Sequence, residues 1–349
     1  MRLGYNYWSP MILRVRLSLS ACALALSLAT LLATTGCGHN TASDESIKPA
    51  TVNVRFPIPI IEAGQASFYV AQDKGYYSAE HLDVHFQMGS RELNPVKTVA
   101  TGQDTFGVLG GPDTLLVARS KGQPLKAIAV LPRNSNFSCL LTLQSSGLTK
   151  LGQLKGKKIG FNYGHISTDV LRNLLRRQKI PYTEVDAGFD YNQLIAHRID
   201  AEWAFTVTAG LDLPAKGVAV NIISPADYGI VTDGYTIFAT DQTVAAQSDL
   251  VSRFLRATLR GVRYAVEHPE EANDALLKRD PSLDKALSLK RVLAYNAVTS
   301  NSERFPPGYM DRPMFQRAYD RLAEEKIIDK PFDPGDAYTP QFLAQANTR

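Results

Sequence analysis

From Val52 to Thr240 the chain alternates short apolar runs of strand type with runs patterned as helices, and no other feature constrains its fold as tightly. Val52 to Pro57 alternates with a strand period, and Gln65 to Lys74 spaces Phe68, Val70 and Ala71 as a helix does. Leu82 to Gln87 returns to strand, and Thr105 to Leu109 and Leu125 to Leu131 follow, separated by helices at Val96 to Thr101 and Thr114 to Ser120. A second series begins near Cys139, inside an apolar Ser-Cys-Leu-Leu run. It continues with Lys158 to Asn162, a helix opening at Ser167-Thr168-Asp169, a short helix at Tyr191 to His197, and strands at Ala201 to Phe205, Val218 to Ser224 and Tyr235 to Thr240. Strand–helix repetition of this kind builds α/β layers with mostly parallel sheets. In such sheets ligands sit at the carboxyl ends of strands, beside helix N-termini.

From Asp249 the pattern is helical only. Leu250, Phe254, Leu255, Val262 and Ala265 share one face, Pro269 ends that helix, and Glu270 to Lys278, Lys285 to Tyr295 and Asp311 to Lys326 follow. A helical tail without its own sheet must pack on another layer, and the first series is the expected surface.

The 17 residues from Leu17 to Ala33 carry no charge and follow Arg14 and Arg16, the layout of an export signal. Ala33-Thr34-Thr35-Gly36-Cys37 resembles a bacterial lipoprotein cleavage site, with Thr34 where such sites usually carry Leu. Residues 1–36 are therefore expected as a signal peptide, with Cys37 lipidated. The polar stretch to residue 50 is expected as a flexible tether (37–50), whose 13 residues from Gly38 to Ala50 reach about 45 Å when extended. Removing the signal takes Arg2, Arg14 and Arg16 and no acid, so the formal charge falls from +4 to +1. With that balance and no basic run, no nucleic-acid partner is expected. Cys139 is then the one cysteine in the folded part, which rules out an internal disulfide. The six histidines are scattered without metal-ligand spacing, and no P-loop or Ser–His–Asp spacing appears, so no cofactor is expected.

Ala66 to Val84, ASFYVAQDKGYYSAEHLDV, resembles the opening of type II solute-binding proteins of ABC importers, in the branch serving sulfonates, nitrate, thiamine-type pyrimidines and riboflavin-like compounds. Further anchors follow in that family's order: Thr101 to Gly107, LGQLKGKKIG at Leu151 to Gly160, Arg198-Ile199-Asp200-Ala201, the long helix at Leu250 to Glu271, and Lys326 to Asp329 near the tail. The resemblance implies a two-lobed periplasmic-binding-protein fold. One lobe would comprise 51–137 plus 240–349 and the other 138–239, with ligand held between them.

The resemblance also directs attention to particular loops. After the first strand, Gln65, Phe68 and Tyr69 are expected to meet ligand, the alternative being that the two rings are the packed face of a helix. Gly111 and Asp113 open a helix after a strand, where a glycine lets ligand approach the backbone. Asn162, Tyr163, His165, Ser167 and Thr168 crowd polar and aromatic groups before another helix N-terminus, suited to holding an oxygen or stacking on a ring. Trp203 is either core or cleft wall. Phe205, Thr206 and Thr208 replace the Asn-Glu pair that pyrimidine- and riboflavin-type relatives carry, so that segment lacks an acid. Tyr228 and Tyr235 flank a crossing where a ring would close over ligand. Asp227 and Asp233 are read as loop and hinge surface, and Arg91 and Arg133 as cations on the cleft side.

The expected function is capture of a small heteroaromatic compound or organic anion by a monomeric, non-enzymatic lipoprotein on the outer face of the cytoplasmic membrane, for delivery to an ABC permease. The alternatives are a sensing lobe for a membrane signalling partner, or a thiamine-pyrimidine-synthesis enzyme of the same fold.

Overall fold

The computed structural model describes residues 48–90, 92–163, 168–300 and 305–347. The expected signal peptide, Cys37, most of the tether, Arg91, His165 and Ser167 lie outside them. The first series runs β1 Ala50–Arg55, α1 Ala66–Asp73, α2 Tyr76–Ala79, β2 Leu82–Gln87, α3 Pro95–Ala100, β3 Phe106–Leu109, α4 Pro112–Ser120 and β4 Leu125–Leu131. The second runs β5 Ser138–Leu143, β6 Lys158–Phe161, α5 Asp169–Arg177, β7 Thr183–Asp186, α6 Asn192–Ile195, β8 Ala201–Phe205, α7 Ala209–Ala215 and β9 Val220–Ile223. β10 Tyr235–Thr240 then leads into α8 Asp241–Ala246, α9 Ser248–Glu267, α10 Pro269–Arg279, α11 Lys285–Ser300, α12 Arg312–Glu324 and α13 Leu343–Ala346. Among the described residues no helix is long and apolar enough to cross a membrane.

The strands form two five-stranded sheets, ordered β2-β1-β3-β10-β4 and β7-β6-β8-β5-β9. Three strands of each pair in parallel, and the fourth in the order is antiparallel to both its neighbours. The reversal follows from the route of the chain. β4 and β9 both leave their sheets at the carboxyl ends of the strands, so the strand that follows each enters the other sheet from the opposite end to its neighbours. The two crossings run side by side. Gly234 N–H donates to the Pro132 carbonyl at 2.8 Å, and Asn136 N–H to the Thr232 carbonyl at 3.1 Å. Thr232 N–H in turn donates to Asn136 Oδ1 at 2.9 Å.

Burial explains the elements. β4 and β5 are covered on both faces, which a strand inside an α/β layer requires, and Cys139 lies there as a buried free thiol. Pro95 and Pro112 occupy first-turn positions where a missing N–H costs nothing, and Asn94 caps its helix by accepting from Lys97 N–H. The helical tail packs on the first sheet: Phe254, Leu259 and Phe315 share one core with Val54, Phe106 and Phe238. Phe254 stacks on Phe106 with centroids 4.2 Å apart. Each such ring contributes roughly 1.5–3 kcal/mol on burial. Where α9 crosses α1, a Cβ on Gly261 would lie 2.3 Å from the Ser67 carbonyl oxygen, so the close crossing depends on that glycine.

Candidate functional site

Pro57 and Pro59 follow β1 and cannot donate to a sheet ladder, so the strand stops and the chain turns toward the second sheet. Gln65 N–H closes this turn on the Glu62 carbonyl at 3.0 Å. A Cβ on Gly64 would meet Tyr235 Cε2 at 2.8 Å and Tyr295 Cε2 at 3.0 Å, so the missing side chain lets both rings lie against the turn. Tyr295 is fixed by donating to the Leu131 carbonyl at 3.0 Å, and Phe137 packs on it with centroids 5.2 Å apart.

Two cavities of about 620 and 540 Å³ open here, and Glu62, Phe205 and Thr208 line both. The larger is walled by the β3–α4 turn at Gly110 to Thr114, by α5, by the second crossing and by α12. The smaller is more apolar, with Ile58, Ile61, Phe189, Tyr191 and Trp203 on its walls. An ion pair closes its side: Arg291 on α11 donates Nε to Asp212 Oδ1 on α7 at 2.7 Å and a second N–H to Oδ2. This two-pronged pair links the helical tail to the second sheet's layer.

Glu62 is 8% exposed. Its Oε1 accepts from the Tyr235 hydroxyl, and among the described residues no donor bonds Oε2. Burial pushes its carboxyl up to about 8, against the pull of Arg291. Asp233 also lines the larger cavity and accepts from Asn134 N–H at 2.8 Å. Burial raises it too, so the reading of Asp233 as hinge surface is corrected.

The expected contacts divide. Gly111, Asp113 and Tyr235 line the larger cavity, and Trp203 the smaller, where its indole N–H donates to Ser138 Oγ at 3.0 Å. Asp113 does not cap α4; it pairs with Arg321. Gln65, Phe68 and Tyr69 line neither cavity. Phe68 is core against Phe56, and Gln65 is fully buried, donating to the Ile60 carbonyl and accepting from Tyr69. Both rings belong to the core cluster of the first sheet. Asn162, Tyr163 and Thr168 line neither cavity either. Asn162 and Thr168 are buried, Thr168 accepting from Arg172, while Tyr163 is 40% exposed with its N–H on Asp186. Arg133 pairs with Asp311 at 2.7 Å and lies over Phe305, away from both cavities. Tyr228 accepts from Leu151 N–H and is structural. The acid that lines both cavities is Glu62, three residues before Gln65. Its local sequence carries no mark of this, because the burying rings come from β10 and α11.

Residues 63–272 match the family described as NMT1/THI5 like. A riboflavin-binding protein of Chloroflexus aurantiacus is 25% identical over 291 residues, covering 80% of this chain and 82% of the relative. A formylaminopyrimidine-binding protein of Halalkalibacterium halodurans is 26% identical over 258 residues, covering 72% and 76%. A 4-amino-5-hydroxymethyl-2-methylpyrimidine phosphate synthase of Legionella pneumophila is 28% identical over 286 residues, covering 78% and 86%, so enzymes as well as binding proteins are among the relatives. In three dimensions the chain shares the fold of the alkanesulfonate-binding protein of Xanthomonas axonopodis, with a TM-score of 0.63 at 14% identity over 84% of this chain and 99% of that one. The two mixed sheets flanked by helices are thus a periplasmic-binding-protein fold, and the chain belongs to the NMT1/THI5-like family.

Proposed function

We propose that this chain is an extracytoplasmic solute-binding protein that captures a small heteroaromatic molecule or organic anion between two lobes, one built on each sheet, and delivers it to an ABC permease; β10 pairs with β3 and β4, which moves residues 235–239 from the expected second lobe, 138–239, into the first. The observation that carries this reading is the pair of cavities meeting at Glu62, Phe205 and Thr208, with walls drawn from both sheets' layers. Together they offer room for a ligand of drug-like size, with aromatic walls at the junction and charged side chains around the larger cavity. The binding reading is preferred to the synthase one because the cavity junction offers recognition groups and ring walls. Relatives named for riboflavin and formylaminopyrimidine bear on ligand class.

The test is a thermal-shift and equilibrium-dialysis screen of the purified full-length protein against flavins, pyrimidines, sulfonates, nitrate and aromatic acids. A ligand that binds only the folded state raises the melting point. At least one class should do so, and mass spectrometry should recover it unchanged. Chemical conversion of the bound compound would favour the enzyme reading.

Attachment through a lipid on Cys37 belongs to the same proposal, supported by the uncharged run and small residues before it. Cys37→Ser should move the protein from the membrane to the soluble fraction; unchanged membrane recovery would dismiss the lipid.

A further inference from the structure

The most unusual group in the cleft is Glu62. It is buried where the two cavities meet, and one of its oxygens is taken by Tyr235. Oε2 has no donor among the described residues, and the cation nearest in effect, Arg291, spends its planar fork on Asp212. A carboxylate taken out of water without a partner is costly. Two remedies exist: a proton while the site is empty, or a donor brought by the ligand. Burial favours the first in the empty protein. The second needs an N–H group, neutral or charged, at the edge of something flat enough to lie among Phe205, Tyr235 and Tyr295.

An anion meets the opposite situation. It would stand against a carboxyl that already disfavours negative charge, and the half-buried cations nearby are paired: Arg321 with Asp113, and Arg172 with Glu184. Lys121, Arg176, Arg177 and Arg317 also line the larger cavity but are exposed, where water screens them.

We propose that Glu62 is the specificity-determining residue of the cleft, accepting an N–H from the edge of a planar ligand at Oε2 and turning small organic anions away from the junction. This rests on the cleft being a binding site, and it separates the chain from the sulfonate-binding proteins whose fold it shares.

The test is titration calorimetry of the full-length protein with riboflavin, 4-amino-2-methylpyrimidine and ethanesulfonate. Wild type should bind at least one of the two N–H compounds and not ethanesulfonate. Glu62→Gln should weaken that binding at least tenfold, because the amide can place an N–H where the ligand needs an acceptor, and it should begin to admit ethanesulfonate. Melting curves establish that the variant is folded. If it is not, Tyr235→Phe serves instead, since freeing Oε1 changes how the carboxyl is held and should weaken the same ligand severalfold. Unchanged affinity in the folded variant overturns the proposal. Binding of ethanesulfonate to wild type overturns it too, yet leaves the cleft as a binding site. Failure of folded wild type to bind any of the three overturns both.

Discussion

Glu202, on β8, is a buried carboxyl with no hydrogen-bond partner on either oxygen among the described residues. Burial raises its pKa from 4.5 to about 8, and Asp190 adds like-charge repulsion. A carboxyl whose folded pKa lies above its unfolded one stabilises the fold fully below about 4.5 and loses that contribution as pH rises through about 8. Ionisation of Glu202 should therefore cost on the order of a few kcal/mol by pH 9. Urea midpoints at pH 6 and pH 9 should fall steeply for wild type and less for Glu202→Gln; parallel falls would dismiss the idea. Glu62 acts with the same sign, but its exposure to the cavities lets a ligand relieve it. Residues of this kind are the least legible in a sequence. Glu62 lies in a loop that reads as functional, while Gln65 and Tyr69 beside it look the better contacts. The choice is made by Tyr235, 173 positions away. Trp203 and Tyr235 line the cavities as large rings near strand ends, which have few places to go.

Elements were far more legible, since each one carries its own burial pattern. β2, β4, β8 and β10 lie at the bounds that alternation and apolar runs predict. Five elements escape notice, α2, β7, α7, α8 and α13, and two of them have physical reasons. β7 reads Thr-Glu-Val-Asp, lies at a sheet edge and buries no residue fully; α7 contains Pro214, which reads as loop. Strand direction is also silent, so the reversed β5 and β10 could not be foreseen from local pattern. The α1–α9 crossing gives the element-scale prediction. Gly261→Ala would press a methyl against the Ser67 carbonyl and Ala71, and helix propensity gains cannot offset that. A loss of about 1–3 kcal/mol in urea unfolding is expected; an unchanged or raised midpoint would mean that the helices can part without penalty.

For the whole molecule, the alternation and the helical tail together were enough to indicate an α/β architecture with the tail on the first sheet, and the shared core of Phe254, Phe315 and Phe106 is how that tail is held. What the pattern did not reveal is that Asp212 and Arg291 tie the tail to the other sheet's layer across the cleft, because a pair 79 positions apart leaves no local trace. The screen proposed above reads this scale directly, since a ligand seated between the layers stabilises both at once.

The strand order of the first sheet has a consequence for how the protein is made. β10 lies between β3 and β4, yet it leaves the ribosome after all of the second sheet's strands. The second sheet, contiguous from Ser138 to Ile223, can close while synthesis is still under way. The first must wait with an unfilled slot between β3 and β4, so the half synthesised earlier is the half completed last.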